Sequence, residues 1–248
     1  MKREGLAVGI ILLLIGTCII PSTAQQIENS SLPPSRGNWF YVGGSGPGNY
    51  SKIQDAIDNA SDGDTVFVYD ESSPYVETLT IIKSISLVGE NKETTIIDGC
   101  GSPYIIILQV VSYVQLRGFT IRNSSRTEIN WNAVKGVGIR LLAASFCTLS
   151  DNIITDTTVG IHLLNYLWNE FTYNNTISQN VLTQNTIGIL LDWGSGDTTI
   201  LQNELTQNWY GIVVITTQFN SITKNNFLWN GSFSSSHARD LLARQRYP

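Results

Sequence analysis

Cys147-Thr-Leu-Ser-Asp-Asn152-Ile-Ile154 returns as Asn175-Thr-Ile-Ser-Gln-Asn180-Val-Leu182, as Thr198-Thr-Ile-Leu-Gln-Asn203-Glu-Leu205 and as Asn220-Ser-Ile-Thr-Lys-Asn225-Asn-Phe227. The shared pattern is an aliphatic residue, two polar residues, Asn, any residue and an apolar residue. A fainter first copy is Leu116-Arg-Gly-Phe119-Thr-Ile121. A second block, Gly-Ile, stands at Gly138, Gly160, Gly188 and Gly211, and the last three glycines come six residues after Ile154, Leu182 and Leu205. Units this short bury no face alone and must stack on their neighbours, which is solenoid behaviour. Their unequal lengths argue against ankyrin or leucine-rich arrays. They suit a β-helix, which tolerates loops of any length at its turns.

Ile139-Arg-Leu, Ile161-His-Leu, Ile189-Leu-Leu and Ile212-Val-Val fit short strands whose first and third residues point inward. Stacked in parallel about 4.8 Å apart, the column Asn152, Asn180, Asn203 and Asn225 forms an inward ladder at a bend, its amides bonded to one another and to turn backbone. The Gly column fits a bend with positive φ or a close backbone approach. The expected fold is an all-β, single-stranded right-handed parallel β-helix, residues 38–231, with a short N-terminal capping helix.

That helix begins at Ser51-Lys-Ile-Gln54, a capping box, and carries Ile53, Ala56, Ile57 and Ala60 at helical spacing. It would cover the open end of the first coil. Short strands follow around residues 65–69, 76–82, 85–88 and 95–97. Residues 1–24 read as a secretory signal, with Lys2 and Arg3 before the apolar run Leu6 to Ile20; an uncleaved anchor is the competing reading. Residues 25–37 are a linker. Residues 232–248 form an atypical basic tail, either a cap on the last coil or the end of a truncated array. Past the signal no apolar stretch has spanning length.

Charged residues make up 14% of the 248, against roughly 25% in an average globular protein. Asn, Ser and Thr supply the polarity, as in secreted and solenoid proteins. A net charge of −5 without a basic patch speaks against a nucleic-acid partner. Sequons at Asn29, Asn49, Asn59, Asn123, Asn174 and Asn230 suit a surface protein but are cheap in an Asn-rich chain.

Tyr50-x-x-Ile53-x-x-Ala56-Ile57-x-x-Ala60-x-x-Gly63-Asp64, then Tyr75-x-Glu77, Lys83 to Gly89 and Thr95-Ile-Ile-Asp-Gly99, resembles the N-terminal cap and first coils of pectin-lyase-like right-handed β-helix proteins. The Asn and Gly-Ile repeats are similar to the NosD-type subgroup, which includes many secreted archaeal proteins. The resemblance covers Asn38 to Asn230. It implies the fold; that architecture carries lyases, hydrolases, esterases, adhesins and others, so activity must come from residues.

Arg140 and His162 share an outward column, with Asp192 and Asp197 in the next coil; the column reads as a solvated face with scattered charges, a lyase-type base beside carboxylates being the alternative. No pair of carboxylates recurs on adjacent rungs, as a two-carboxylate glycosidase or a calcium cluster would need. Glu77 reads as a structural residue of the first coil. The paired Asp and Arg motifs of pectin methylesterases find no match. Copper uses His, Cys and Met; after signal removal His162, His237, Cys100 and Cys147 are dispersed and no Met remains, so no cofactor or metal is expected. Cys100 and Cys147, about two coils apart, are expected as buried free thiols rather than a disulfide.

The aromatic residues are more suggestive. Trp168, Phe171 and Tyr173 occupy the long turn after the second Gly-Ile strand, with Trp193 and then Phe219 in the corresponding turns of later coils. Trp131, Trp209-Tyr210 and Trp229 mark another turn. Aromatic faces beside Asn, Asp and Gln suit sugar rings. Asp192 and Asn165 lie near the first edge. The expected role is binding of glycan or cell-envelope polysaccharide by Trp168, Phe171, Tyr173, Trp193, Asp192 and Phe219, without catalysis. The alternatives are a carbohydrate-active enzyme, a purely structural surface module, and aromatics that fold back over the coil edges.

Overall fold

The computed structural model describes residues 37–127, 129, 133–165 and 171–230. The proposed signal segment, most of the linker, Trp131, Trp168 and the tail lie outside the described residues. The described chain winds through about seven turns of a right-handed parallel β-helix. Three parallel sheets line it. Sheet A has eight strands, from Trp39–Val42 to Ser221–Thr223; sheet B has seven, from Tyr75–Val76 to Asn226–Leu228; sheet C has six, from Leu79–Ile81 to Tyr210–Val214. One coil shows the pattern: Thr148–Ser150 lies in A, Ile153–Thr155 in B and Val159–Leu164 in C.

Two residues separate the A and B strands of these coils, so the corner must be sharp. Asp151, Gln179, Gln202 and Lys224 make it in the left-handed region, with φ of 54°, 58°, 55° and 55°. Non-glycine residues rarely adopt that region, so something must hold them there. The next residue in each coil is the ladder Asn. The Asn180 side-chain amide donates to the Leu149 carbonyl (2.9 Å) and to the Asn203 side-chain oxygen (3.0 Å). Its own oxygen accepts from the backbone N–H and the side-chain amide of Asn152, both at 3.1 Å. Asn203 repeats the pattern toward Asn225. The first copy of the repeat has Gly118 at the corner, at φ 83°, and Phe119 where the ladder Asn would be. Phe119 N–H donates to the Asn152 side chain, which closes the ladder.

The B-to-C corner uses the same device, a feature the sequence reading missed. Asp156, Gln184, Gln207 and Trp229 are left-handed, and Thr157, Asn185, Asn208 and Asn230 follow them as a second ladder. Its signal is visible in hindsight: Asn185, Asn208 and Asn230 each stand five residues after a ladder Asn.

Inside the coils, Leu149, Ile177 and Ile200 of sheet A meet Ile154, Leu182 and Leu205 of sheet B and Ile161, Leu163, Ile189 and Leu191 of sheet C, all fully buried. Each such side chain contributes about 1.5–3 kcal/mol relative to exposure. The Gly column lies within sheet C strands rather than at a bend, and its φ values are not positive. Close approach is the reason for it: a Cβ on Gly160 would stand 2.6 Å from the Gly188 carbonyl oxygen, and one on Gly188 2.5 Å from that of Gly211.

The capping helix spans Ile53–Asn59 and buries Ile53, Ala56 and Ile57 on the first coil. Ser51 does not cap it; the expected capping box is replaced by a carboxylate from another coil. Glu77 accepts from the backbone N–H groups of Ile53 (2.9 Å) and Gln54 (3.1 Å), which gives the Tyr75-x-Glu77 motif its structural role. Of the two thiols, Cys147 is buried as expected, whereas Cys100 is exposed on a left-handed turn; both are free.

The ladder yields a first test. Asn180→Leu or Asn203→Leu leaves turn amides and carbonyls unpaired in the core, and each is expected to lower unfolding free energy by about 1–3 kcal/mol in denaturant titration.

Candidate functional site

At the C-to-A corner each of the last three coils carries an extended turn, residues 165–175, 192–198 and 215–220. Thr172 anchors one of them: its backbone N–H donates to the Asn165 side-chain oxygen (2.8 Å) and its hydroxyl to the Leu164 carbonyl (2.7 Å). With Thr172 buried, its neighbours Phe171 and Tyr173 are turned outward and exposed. Bridging pairs Tyr173 with Gly196 and Gly196 with Gln218, so Phe219 stands beside Asp197, two rungs from Asn174. Two rungs are about 9.6 Å. Between the aromatics lies a groove of about 270 Å³ lined by Phe171, Tyr173, Asp197, Gln218 and Phe219, with Gly196 in its floor.

Farther toward the N-terminal end the same corner holds Tyr113 and Phe146, whose rings stack at 5.2 Å and 16°. Phe146 meets Tyr173 edge to face, also at 5.2 Å. Stacked rings turn their faces to each other, so this half of the aromatic row braces the corner. Phe171, 53% exposed, and Phe219, 81% exposed, make no ring pair among the described residues and line the groove.

Phe171, Tyr173 and Phe219 thus share one groove. Trp193 is 61% exposed in the same tier of turns but does not line it. The Asp192 carboxylate is turned to its own corner, accepting from Trp193 N–H at 2.8 Å, and Asn165 is engaged by Thr172. Asp197 and Gln218 take the polar positions instead. Trp209 and Trp229 are exposed at the B-to-C corner, while Tyr210 packs on the outer layer of sheet C.

That outer layer explains the Arg140 and His162 column. Arg140 pairs with His162 across adjacent strands, as the sequence spacing implied. The face is not solvated, however: Val134, Val137, Val159, Ile187 and Leu190 form a second apolar cluster on it. Arg140 lies over the Tyr104 ring at 4.6 Å. His162 is 1% exposed and neither ring nitrogen has a hydrogen-bond partner among the described residues. Nε2 stands 3.5 Å from Asp192 Oδ2, an ion-pair separation rather than a made hydrogen bond. Burial pushes the His162 pKa down, Arg140 adds to that, and Asp192 only partly opposes it.

The family model described as periplasmic copper-binding protein (NosD) matches residues 57–238. The chain belongs to the NosD family. Among solved structures, the coils of this NosD-family chain are similar to those of pectin methylesterases. One, bound to a hexasaccharide, is 12% identical with a TM-score of 0.42, covering 82% of this chain and 93% of that one. The carrot enzyme is 14% identical at 0.42, covering 75% and 64%, and PemA from Erwinia chrysanthemi is 12% identical at 0.37, covering 83% and 93%. Comparison with curated proteins gives no match.

The family description raises copper, and the donors among the described residues do not fit it; His237 lies outside them. The Cys147 thiol is buried, its pKa pushed up to about 11 by that burial, and its sulfur lies 3.3 Å from the Ser145 carbonyl. A protonated thiol is a poor metal ligand. His162 sits in an apolar layer, and Cys100 is in the irregular stretch of strand Ile96–Ser102 in sheet B. No group of three or more His, Cys, Asp or Glu stands together among the described residues.

His162 supplies a pH test. Its folded pKa lies below the ordinary value of about 6.5, so the unfolded chain takes up the proton first. Stability is then complete above about pH 6.5 and falls as pH drops toward the folded pKa, with a limiting slope of about 1.4 kcal/mol per pH unit. Arg140 and Asp192 are the charged groups facing it among the described residues. Thermal unfolding between pH 7.5 and 5 should show this loss, and His162→Leu, matching Leu190 in the same column, should flatten it.

Proposed function

We propose that this NosD-family solenoid binds an extended glycan of the cell envelope or its surroundings along the C-to-A edge, without catalysis. The observation that carries the reading is the pairing of exposed Phe171 and Tyr173 with Phe219 about two rungs away, across a floor made by Gly196. Consecutive sugar residues have a length comparable to one rung, so rings seated in the groove would meet aromatic faces at both ends. Their hydroxyls would find Asp197 and Gln218 between. Gly196 matters because a Cβ there would stand 2.9 Å from the Gln218 carbonyl oxygen, so glycine lets the two turns approach closely.

The periplasmic description of the family supports a location outside the cytoplasm, and export would be served by residues 1–24. No helix among the described residues is long and apolar enough to cross a membrane.

A carbohydrate-active enzyme is the second reading, and Arg140, His162 and Asp192 are its residues. Burial speaks against it: an imidazole 1% exposed offers no face to a substrate. The groove itself has one carboxylate, Asp197, among its described lining, which makes no acid and base pair.

Titration of neutral oligosaccharides, chosen from a glycan array, into the mature protein tests the proposal. Each aromatic contact is expected to contribute about 1 kcal/mol. Phe171→Ala with Phe219→Ala should then weaken binding about 30-fold while leaving the melting temperature in place. Sustained release of methanol or unsaturated products from pectin would instead favour the enzyme.

A further inference from the structure

The outer face of sheet B, where it meets the B-to-C corner, carries a depression that the glycan groove does not involve. Strands Ile96–Ser102 and Thr120–Ser124 pair Asp98 with Arg122 and resume at Ser102 with Ser124, so Gly99, Cys100 and Gly101 bulge out opposite Asn123. Cys100 and Gly101 turn in the left-handed region, at φ 48° and 77°. The bulge opens a trough of about 570 Å³ along Asp98, Arg122, Ser124, Ser125 and Arg126. A second trough of about 520 Å³ continues from Arg126 and Asp156 past Gln184 and Gln207 to Trp209.

The acceptors in the trough are already engaged. Asp98 accepts from Arg122 Nε (3.0 Å), the Asn123 side-chain amide (2.8 Å) and Cys100 N–H (3.0 Å). Burial pushes its pKa up, but these bonds more than offset that, and the carboxyl lies below its ordinary value. Asp156 accepts from Arg126 at 2.8 Å and from the Thr155 hydroxyl at 3.3 Å. The donors are in surplus. Of the five N–H groups of a guanidinium, Arg122 bonds through Nε, and Arg126 through one terminal nitrogen shared between Asp156 and the Gln184 carbonyl. The hydroxyls of Ser124 and Ser125 are buried with no partner among the described residues; Ser124 follows the left-handed Asn123 into the inward column of Thr157 and Asn185, and Ser125, one residue on, lines the trough. Buried hydroxyls seldom go unbonded.

We propose that this trough is a second binding site, for a singly charged tetrahedral oxyanion carried on a glycan, either a sulfate ester or a phosphodiester. Surplus donors call for an acceptor ligand. Two guanidinium forks from one coil, Arg122 turned to Asp98 on the preceding rung and Arg126 to Asp156 on the next, approach from directions that a tetrahedral group meets better than a flat carboxylate. Two arginines set against two aspartates leave no excess positive charge, which disfavours a dianion and leaves recognition to the unused N–H groups. Trp209, beyond Gln184 and Gln207, is then a stacking platform for a sugar ring attached to the anion.

The test is titration of the full mature protein with three probes: a sulfated dextran oligosaccharide, the same oligosaccharide without sulfate, and a glycerol-phosphate oligomer linked by phosphodiesters. Binding of the sulfated or the phosphodiester probe, with tenfold or greater loss in Arg122→Gln/Arg126→Gln, supports the proposal, and the stronger of the two names the source. Ser125→Ala should weaken that binding without lowering the melting temperature, since the hydroxyl has no partner among the described residues to lose. Phe171→Ala/Phe219→Ala should leave it unchanged, so failure of the glycan groove and failure of this site are told apart. The proposal is overturned if neither charged probe binds, if the uncharged one binds equally well, or if the double arginine variant, still folded by circular dichroism, binds as before.

Discussion

A buried Asn one residue past the left-handed corner, recurring along the A-to-B and B-to-C columns, is the contact on which the coils depend. A chain turning through roughly a third of a circle in two residues leaves an inward carbonyl and N–H that no strand can pair. The Asn amide has one acceptor and two donor hydrogens, and in Asn152, Asn180, Asn203, Asn185 and Asn208 they meet a carbonyl within the coil stack and the next Asn. Because every rung satisfies the one above it, the bonds form unbroken files along the axis. A low-dielectric core strengthens such files and makes any gap in them costly.

With corners fixed from inside, the outward positions are free of structural duty and can differ from coil to coil. The corner column Asn123, Asp156, Gln184, Gln207 and Trp229 keeps one backbone conformation, φ between 54° and 63°, with five positions that carry amide, carboxylate and indole groups. The C-to-A column does the same with Tyr113, Phe146, Asn174, Asp197 and Phe219. Variation at constant geometry is how one scaffold presents an aromatic groove at one corner and an arginine trough at another.

Repetition made the fold legible in the sequence. Asn180 with Leu182 and Gly188 with Ile189 recur in register, and a pattern of that length has few physical solutions. What was less legible came from single events. Glu77 caps a helix some twenty residues before it, a contact that no local spacing announces. The burial of His162 depends on the apolar layer that Val134 and Val137 bring over an outward face, so its alternation alone suggested solvent. Ser51 looked like a cap because it has the right neighbours in sequence, but Lys52 takes that position and the helix has no side-chain cap of its own.

The same contrast explains why the site was only partly readable. Phe171, Tyr173 and Phe219 are aligned by rung register, which the repeats encode. Which aromatics keep their faces open is decided by neighbours: Tyr113 and Phe146 look equivalent in sequence yet stack on each other. Asp192 and Asp197 differ in a similar way, one satisfied by Trp193 N–H and close to His162, the other lining the groove. In a solenoid the column in which a residue falls is written in the repeat. Its availability to a ligand depends on the two or three residues stacked above and below it, and these are the positions the repeat leaves free to vary.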